Sequence, residues 1–289
     1  MDAIEYHRQQ AVSSLFQTNA FRDAWNTWRP HVEVETHTSQ RLYELGSKLS
    51  LIFQTTATGR GQNDVSGAGS AWECLICWYL NLVFLGTGAV AVKQKRSLIP
   101  ACISDATAVV YGNSQTNTES DLVVYIVPDD EVLNGKQYEK IAELNKYISE
   151  RCKDVTLGVV QCKTNWNDNA QIPMLWDMIY RARGFKGSGI SIGKNGISIN
   201  DFKAFSYSFV TVPSQKELEK KFKQDSMAVK RVRSLSGGNY WGRATVSGVA
   251  LSLNEIFRKN FSDAFSQTVQ NKLAQTIDVG IPEYFQLQP

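Results

Sequence analysis

The chain is short of histidine: it holds three, His7, His31 and His37, all within its first 40 residues. Histidine is the usual general base of nucleophilic triads, so a serine or cysteine hydrolase would have to draw its base from the far N-terminal segment. The chemistry left open is that of carboxylates, lysine and a metal ion. No apolar run reaches the ~18 residues needed to cross a bilayer as a helix. The longest, Cys74 to Leu85, is broken by Asn81. The N-terminal stretch MDAIEYHRQQ is polar and lacks the apolar core of a signal peptide. These absences predict a soluble chain that stays in the cytoplasm where it is made. Cysteine gives no metal pattern either. Of five cysteines, Cys74 and Cys77 form a C-x-x-C pair, but inside an apolar helical run and without a second pair. Buried free thiols in a reducing compartment are expected rather than a zinc or redox site.

What is present reads as an average globular protein: 289 residues, 43% apolar and 20% charged. One large domain over 1–289 is expected, with a helical part at 1–57 and no internal repeat. The net charge of +3 hides an asymmetry. Residues 1–150 carry 12 Lys and Arg against 17 Asp and Glu, and residues 151–289 carry 19 against 11. A basic second half suits a polyanionic partner.

Periodicity predicts a helix over 1–29 ended by Pro30, and a second over 38–57 with Leu42, Leu45, Leu49, Ile52 and Phe53 on one side. The segment TGRGQNDVSGAGS, residues 58–70, reads as a loop. Ser70 and Glu73 have capping-box spacing at the head of a helix over about 71–85 that is apolar all round, hence a core helix. Short β-branched strands follow at 89–92 and 106–111. LVVYIV, 122–127, is a continuous apolar strand, as expected for burial on both faces. An amphipathic helix at 137–152 leads to a second buried strand at 155–162. Further on come a helix from Pro173 to Arg183, a hairpin centred on Asn195-Gly196, and a strand at 205–212. A very basic helix at 215–232 and one or two amphipathic helices at 251–275 complete the chain. The class is α/β (α+β): a central mixed sheet flanked by helices.

One constellation carries chemistry. Asp121 leads into the strand 122–127, and the strand 155–162 runs out into Gln161-Cys162-Lys163. Residues i and i+2 of a strand share a face, so Gln161 and Lys163 project together. If the two strands are neighbours, all three meet at one sheet edge. Oxygen ligands from Asp121 and Gln161 suit a magnesium ion, and a lysine stabilises the charge that develops on phosphate. The structural alternatives are a strand-start cap for Asp121, a satisfied core amide for Gln161 and a surface lysine for Lys163. Glu119 is a fallback acid.

This arrangement resembles the PD-(D/E)XK nucleases, specifically the type II restriction endonucleases. The resemblance is carried by Asp121 before an apolar strand, Gln161-Cys162-Lys163 at the end of another, Glu73 on a preceding buried helix, and the polar turn and helix KTNWNDNAQIPMLWDMIYRAR. It covers roughly residues 66–185. It implies a restriction-endonuclease-like fold, Mg2+ held by Asp121, Gln161 and Glu73, double-stranded DNA as substrate and a homodimer acting in a prokaryotic cytoplasm. Two departures stand out: the acid usual two residues before the lysine is Gln161, and a helix separates two strands that commonly form a hairpin.

For DNA contact, Asn165, Asn167, Asn169 and Gln171 supply amides able to read adenine. Lys194 and Asn195 sit at a hairpin tip. Lys220, Lys223, Arg231 and Arg233 suit phosphates, and these elements fall within 163–243. Two alternative functions differ in kind. One is a DNA-binding relative without catalysis. The other is a nucleotidyltransferase, suggested by YGNSQTNTESDLVVYIV, but there Val123 occupies the second carboxylate position. The basic helix yields a direct prediction. Neutralising Lys220, Lys223, Arg231 and Arg233 together should weaken DNA binding on every sequence and reduce the log–log salt slope by roughly 0.9 per lost phosphate contact. An unchanged slope in a fluorescence titration would remove this helix from the DNA interface.

Overall fold

A computed structural model of the chain describes residues 3–36, 38–57, 65–93, 97–111, 114–117, 120–128, 141–164, 190–212, 238–241, 252–261 and 269–287. The helices are α1 (Ala3–Leu15), α2 (Asn19–Glu33), α3 (Ser39–Glu44), α4 (Leu49–Ala57), α5 (Val65–Val83), α6 (Ala101–Ala106), α7 (Ile141–Glu150), α8 (Leu253–Phe261) and α9 (Val269–Ile277). The strands are β1 (Ala89–Lys93), β2 (Ala108–Tyr111), β3 (Ser114–Asn117), β4 (Leu122–Ile126), β5 (Thr156–Lys163), β6 (Ile190–Ile192), β7 (Ala204–Thr211) and β8 (Gly238–Trp241). The main sheet has the order β1-β4-β5-β7-β8, and a small sheet has the order β3-β2-β6. The mixed α/β class is as expected. No helix among the described residues is long and apolar enough to cross a membrane.

In the main sheet β1, β4 and β5 are antiparallel neighbours, and β7 and β8 run parallel to β5 and β7. Both faces are covered. Ala89, Ala91, Leu122, Val124, Val160 and Cys162 pack with α2, α4, α5 and α8. The alternate residues Val90, Val92, Val123, Tyr125, Leu157 and Val159 pack with α1, α6 and α7. This explains the unbroken apolar runs of β4 and β5, since neither face meets water. Gly158 lies at the middle of β5, where a side chain would collide with the Phe261 ring of α8.

β1 is an edge strand, and its outer backbone groups are satisfied by side chains rather than by another strand. The Asn81 amide of α5 donates to the Ala91 carbonyl at 2.7 Å and accepts the Ala91 N–H at 3.0 Å. Arg8, fully buried, donates to the carbonyls of Thr87 and Ala89 at 2.8 Å each and pairs with Glu5. Asn81, the polar break in the longest apolar run, is therefore the residue that fastens the core helix to the sheet.

Several expected boundaries move. The first helix is two, α1 and α2, and α2 continues through Pro30 to Glu33. Proline removes a bond to the Asn26 carbonyl, but Asn26 and Pro30 both face solvent, while Trp28 and Val32 are anchored in the core. The 38–57 helix is interrupted by a 3-10 turn at Leu45–Ser47, where Gly46 lies against Tyr79 and Asn254 with no room for a side chain. The expected loop 58–70 is helical from Val65 onward, so Ser70 is inside α5 and does not cap it. Packing of Ala68 and the following residues outweighs the ~1 kcal/mol that each helical glycine costs. α6, β3 and β8 were not foreseen. The turn at Asn195-Gly196 is present, both residues having positive φ, but β6 pairs with β2 and its hairpin is reduced to a single Lys194–Ile197 bridge. The second buried strand runs one residue further, to Lys163. The amphipathic helices near the C-terminus are α8 and α9. The Pro173 helix and the basic helix 215–232 lie outside the described residues.

His7 of α1 is buried between Tyr125 and Leu98. The Leu98 carbonyl can only accept, so Nε2 carries the proton and Nδ1 accepts from the Tyr125 hydroxyl, with Nε2 2.7 Å from the carbonyl. Burial, against the pull of that carbonyl and helped by nearby Arg8, lowers its pKa to about 4. The folded form thus takes up a proton less readily than the unfolded chain, whose histidine titrates near 6.5. Its stabilising effect is complete above pH 6.5 and drains away as pH falls toward 4, by about 3 kcal/mol in all. The stability gap between wild type and His7→Gln should therefore narrow on acidification, as read from urea midpoints. A gap constant over that range would mean that His7 titrates normally.

Candidate functional site

Three strands end together at one edge of the main sheet. In register Lys93 of β1 faces Leu122 of β4, which faces Val160 of β5. One step further, Asp121 and Gln161 come opposite each other. The neighbouring strands that the Asp121 reading required are thus in place, and the intervening α7 joins them as antiparallel neighbours without a crossover.

Asp121 is the hub. Its Oδ2 accepts from the Gln161 side-chain amide at 2.8 Å and from the backbone N–H of Cys162 at 2.7 Å. The Lys163 ammonium stands 3.7 Å from the same oxygen. The backbone bond has a structural logic. β5 runs on past the last β4 partner while β7 still holds it, with Lys163 opposite Thr211 and its carbonyl accepting from Val212 N–H at 3.0 Å. On the β4 side the ladder has ended, and the Asp121 carboxylate takes the place of a strand carbonyl. The strand-start alternative is therefore also true of Asp121. It leaves Oδ1 outside these contacts. Gln161 is buried, and with its nitrogen committed to Asp121 its carbonyl oxygen is what remains for a cation.

Glu73 lies on α5 beside this edge. It makes no capping box. It pairs at 3.0 Å with Lys93, whose ammonium also donates to Ser70 Oγ at 2.8 Å. Ser70 and Glu73 are one helical turn apart, so they meet Lys93 from one face of α5. Lys93 and Ser70 were missed by sequence reasoning. The available signal was a lysine closing a short apolar strand, AVAVK, just as Lys163 closes TLGVVQCK.

The electrostatics follow from burial among mixed charges. Burial raises the Asp121 carboxyl to about 7, with Glu73 adding to the rise and the Lys163 ammonium and Cys162 N–H opposing it. Burial works against the Lys93 ammonium, but Cys74 and Glu73 outweigh it and leave Lys93 above its ordinary value. Cys74, Cys77 and Cys162 are buried free thiols, as expected of that pair, and burial pushes the Cys74 thiol up to about 11. None is set up as a thiolate nucleophile.

Of the residues expected to touch DNA, Lys194 and Asn195 lie in the turn that follows β6 of the small sheet. Both side chains are taken by Asp105, at 3.1 and 2.8 Å. Asn165, Asn167, Asn169, Gln171, Lys220, Lys223, Arg231, Arg233 and the fallback Glu119 lie outside the described residues. Among the described residues no three His, Cys, Asp or Glu side chains gather as a metal-ligand group. The donors that do meet, the Asp121 carboxylate and the Gln161 carbonyl, are oxygens of the kind Mg2+ takes, with water and phosphate completing its shell. No protein-family model matches the chain, and no curated protein matches it in sequence.

The raised Asp121 pKa makes the site a cost to the fold. The folded form holds this proton more tightly than the unfolded chain, where the carboxyl titrates near 3.8. Asp121 thus favours folding most below pH 3.8, and that contribution is lost as pH rises through about 7. Asp121→Asn should therefore be more stable than wild type at pH 8, by on the order of 1–3 kcal/mol. The advantage should shrink as pH falls toward 4, measured by urea unfolding. A variant less stable than wild type at pH 8 would show that the carboxylate is worth more as an acceptor than it costs in burial.

Proposed function

We propose that the protein is a magnesium-dependent endonuclease that hydrolyses double-stranded DNA, of the type II restriction kind. The observation that carries this reading is the convergence of Asp121, Gln161 and Lys163 at one sheet edge, on two buried strands forty residues apart in sequence. The antiparallel pairing of those strands supports a restriction-endonuclease-like reading of the fold, as does the core helix α5 with Glu73 beside the edge.

Asp121 and Gln161 would hold the metal ion, which when bound supplies Lewis-acid activation of water and of the scissile phosphate. Lys163 is fixed at its backbone by β7 and at its ammonium by Asp121, so it meets a phosphate oxygen with little loss of side-chain freedom. Its charge stabilises the extra negative charge of the transition state. Gln161 contributes an oxygen without a charge, so the hold on the cation falls mainly to Asp121, and metal affinity without DNA is expected to be weak. The basic C-terminal half fits a polyanionic substrate. A homodimer, whose two-fold axis matches a palindrome, would cut both strands.

A specific observation also favours a second reading. Among the described residues the polar contacts of Asp121 converge on Oδ2 from Gln161, Cys162 and Lys163, which is how a structural carboxylate in a non-catalytic DNA-binding relative would be held. The nucleotidyltransferase reading gains nothing here: the second carboxylate position is Val123, buried in the core on the α7 side. Digestion of long genomic DNA over a range of Mg2+ concentrations separates the readings. Wild type should cut only with the divalent ion. Lys163→Ala should cut at least about 100-fold more slowly while still binding DNA. Gln161→Leu should lose cutting strongly, and Gln161→Glu should reach half-maximal rate at lower Mg2+. Wild-type cutting by Lys163→Ala would refute the assignment, and binding without cutting by wild type would favour the second reading.

A further inference from the structure

We propose that Lys93 contacts a phosphate of the bound nucleic acid, and that Glu73 and Ser70 hold it there, so that Glu73 is a positioning residue for Lys93 rather than a ligand of the metal ion. This inference rests on the nuclease reading above and adds to it a second lysine and a different task for Glu73.

Three observations carry it. Lys93 closes β1 in register with Leu122, the residue after Asp121, so its backbone stands beside the same edge as Lys163. Its ammonium has three N–H donors, of which Ser70 Oγ takes one at 2.8 Å and Glu73 Oε2 a second at 3.0 Å. The third lies against the Cys74 sulfur, a weak acceptor that a phosphate oxygen would displace. The pair is partly buried, with side-chain exposures of 22% and 23%, so Lys93 is neither a freely swinging surface lysine nor sealed from a ligand. A lysine side chain loses rotamer freedom when fixed, and the α5 fork removes that freedom before any substrate arrives.

Charge counting points the same way. Asp121, Glu73, Lys93 and Lys163 together are neutral, so the cluster alone has no excess attraction for a phosphodiester. With Glu73 neutralised by Lys93 and Asp121 free to take a divalent cation, the loaded site becomes positive overall. If Glu73 left Lys93 for the metal ion, the ammonium would lose its anchor and stand partly buried beside the neutral Ser70 hydroxyl and Cys74 thiol, an arrangement that burial penalises.

The test uses the full chain and two probes. The first is a fluorescent random-sequence duplex, titrated by anisotropy between about 50 and 200 mM salt in the presence of Ca2+. Lys93→Met should lower the log–log salt slope by roughly 0.9, and Lys93→Arg, which keeps the charge, should restore it. The second is Mn2+ alone, titrated against the protein without DNA. Glu73→Gln should bind Mn2+ within a factor of about two of wild type, whereas Asp121→Asn should lose more than about tenfold. A wild-type slope in Lys93→Met, or a loss beyond about tenfold in Glu73→Gln, would overturn this inference and leave the nuclease reading standing. Wild-type protein that binds neither duplex nor Mn2+ would overturn both. Circular dichroism melts of each variant show whether a loss comes from unfolding.

Discussion

Where the β4–β5 ladder ends, a carboxylate stands in for a peptide carbonyl. Asp121 Oδ2 accepts the Cys162 N–H, and on that bond depends much of what surrounds it. β5 must outrun β4 for Gln161 and Lys163 to emerge at the edge, yet a strand interior to a sheet cannot leave a buried N–H unpaired without a cost of roughly 1–3 kcal/mol. β7 satisfies one side of the extension and Asp121 the other. The same oxygen then draws in the Gln161 amide and the Lys163 ammonium, so a device that terminates a ladder also assembles the charged cluster.

The opposite flank is built from α5. Its apolar faces place it in the core, and the Asn81 amide ties it to Ala91 of β1 in the manner of a neighbouring strand. Arg8 closes the remaining carbonyls from α1. Lys93 lies two residues beyond Ala91 and Glu73 two turns before Asn81, so the Lys93–Glu73 pair inherits its geometry from this fastening. Polar groups that look out of place in apolar segments are thus what hold the edge strand and aim the lysine.

The cluster costs the fold something. A carboxyl raised to about 7 is a group the protein would rather keep protonated, and it is tolerated only through its donors and the nearby ammonium groups. His7, lowered to about 4 on α1, titrates in the opposite sense over an overlapping pH range. Acidification therefore relieves one buried group while straining another, so these two contributions to stability offset each other.

Much of this was legible in the amino-acid sequence. The core helix, the two buried strands, the free thiols, the αL turn at Asn195-Gly196 and the shared face of Gln161 and Lys163 follow from hydrophobic period and side-chain alternation, which are local properties of a chain. What only the tertiary structure decided is which strand lies beside which, and what the polar residues do once there. That α5 begins at Val65 despite two glycines, that Ser70 and Glu73 serve Lys93 instead of a cap, and that Lys194 and Asn195 are spent on Asp105 depend on partners 20 to 90 residues away in the chain. A polar side chain with one partner within reach of its own helix and another across the sheet will take whichever bond is drier and better charged, and no local pattern of residues contains that choice.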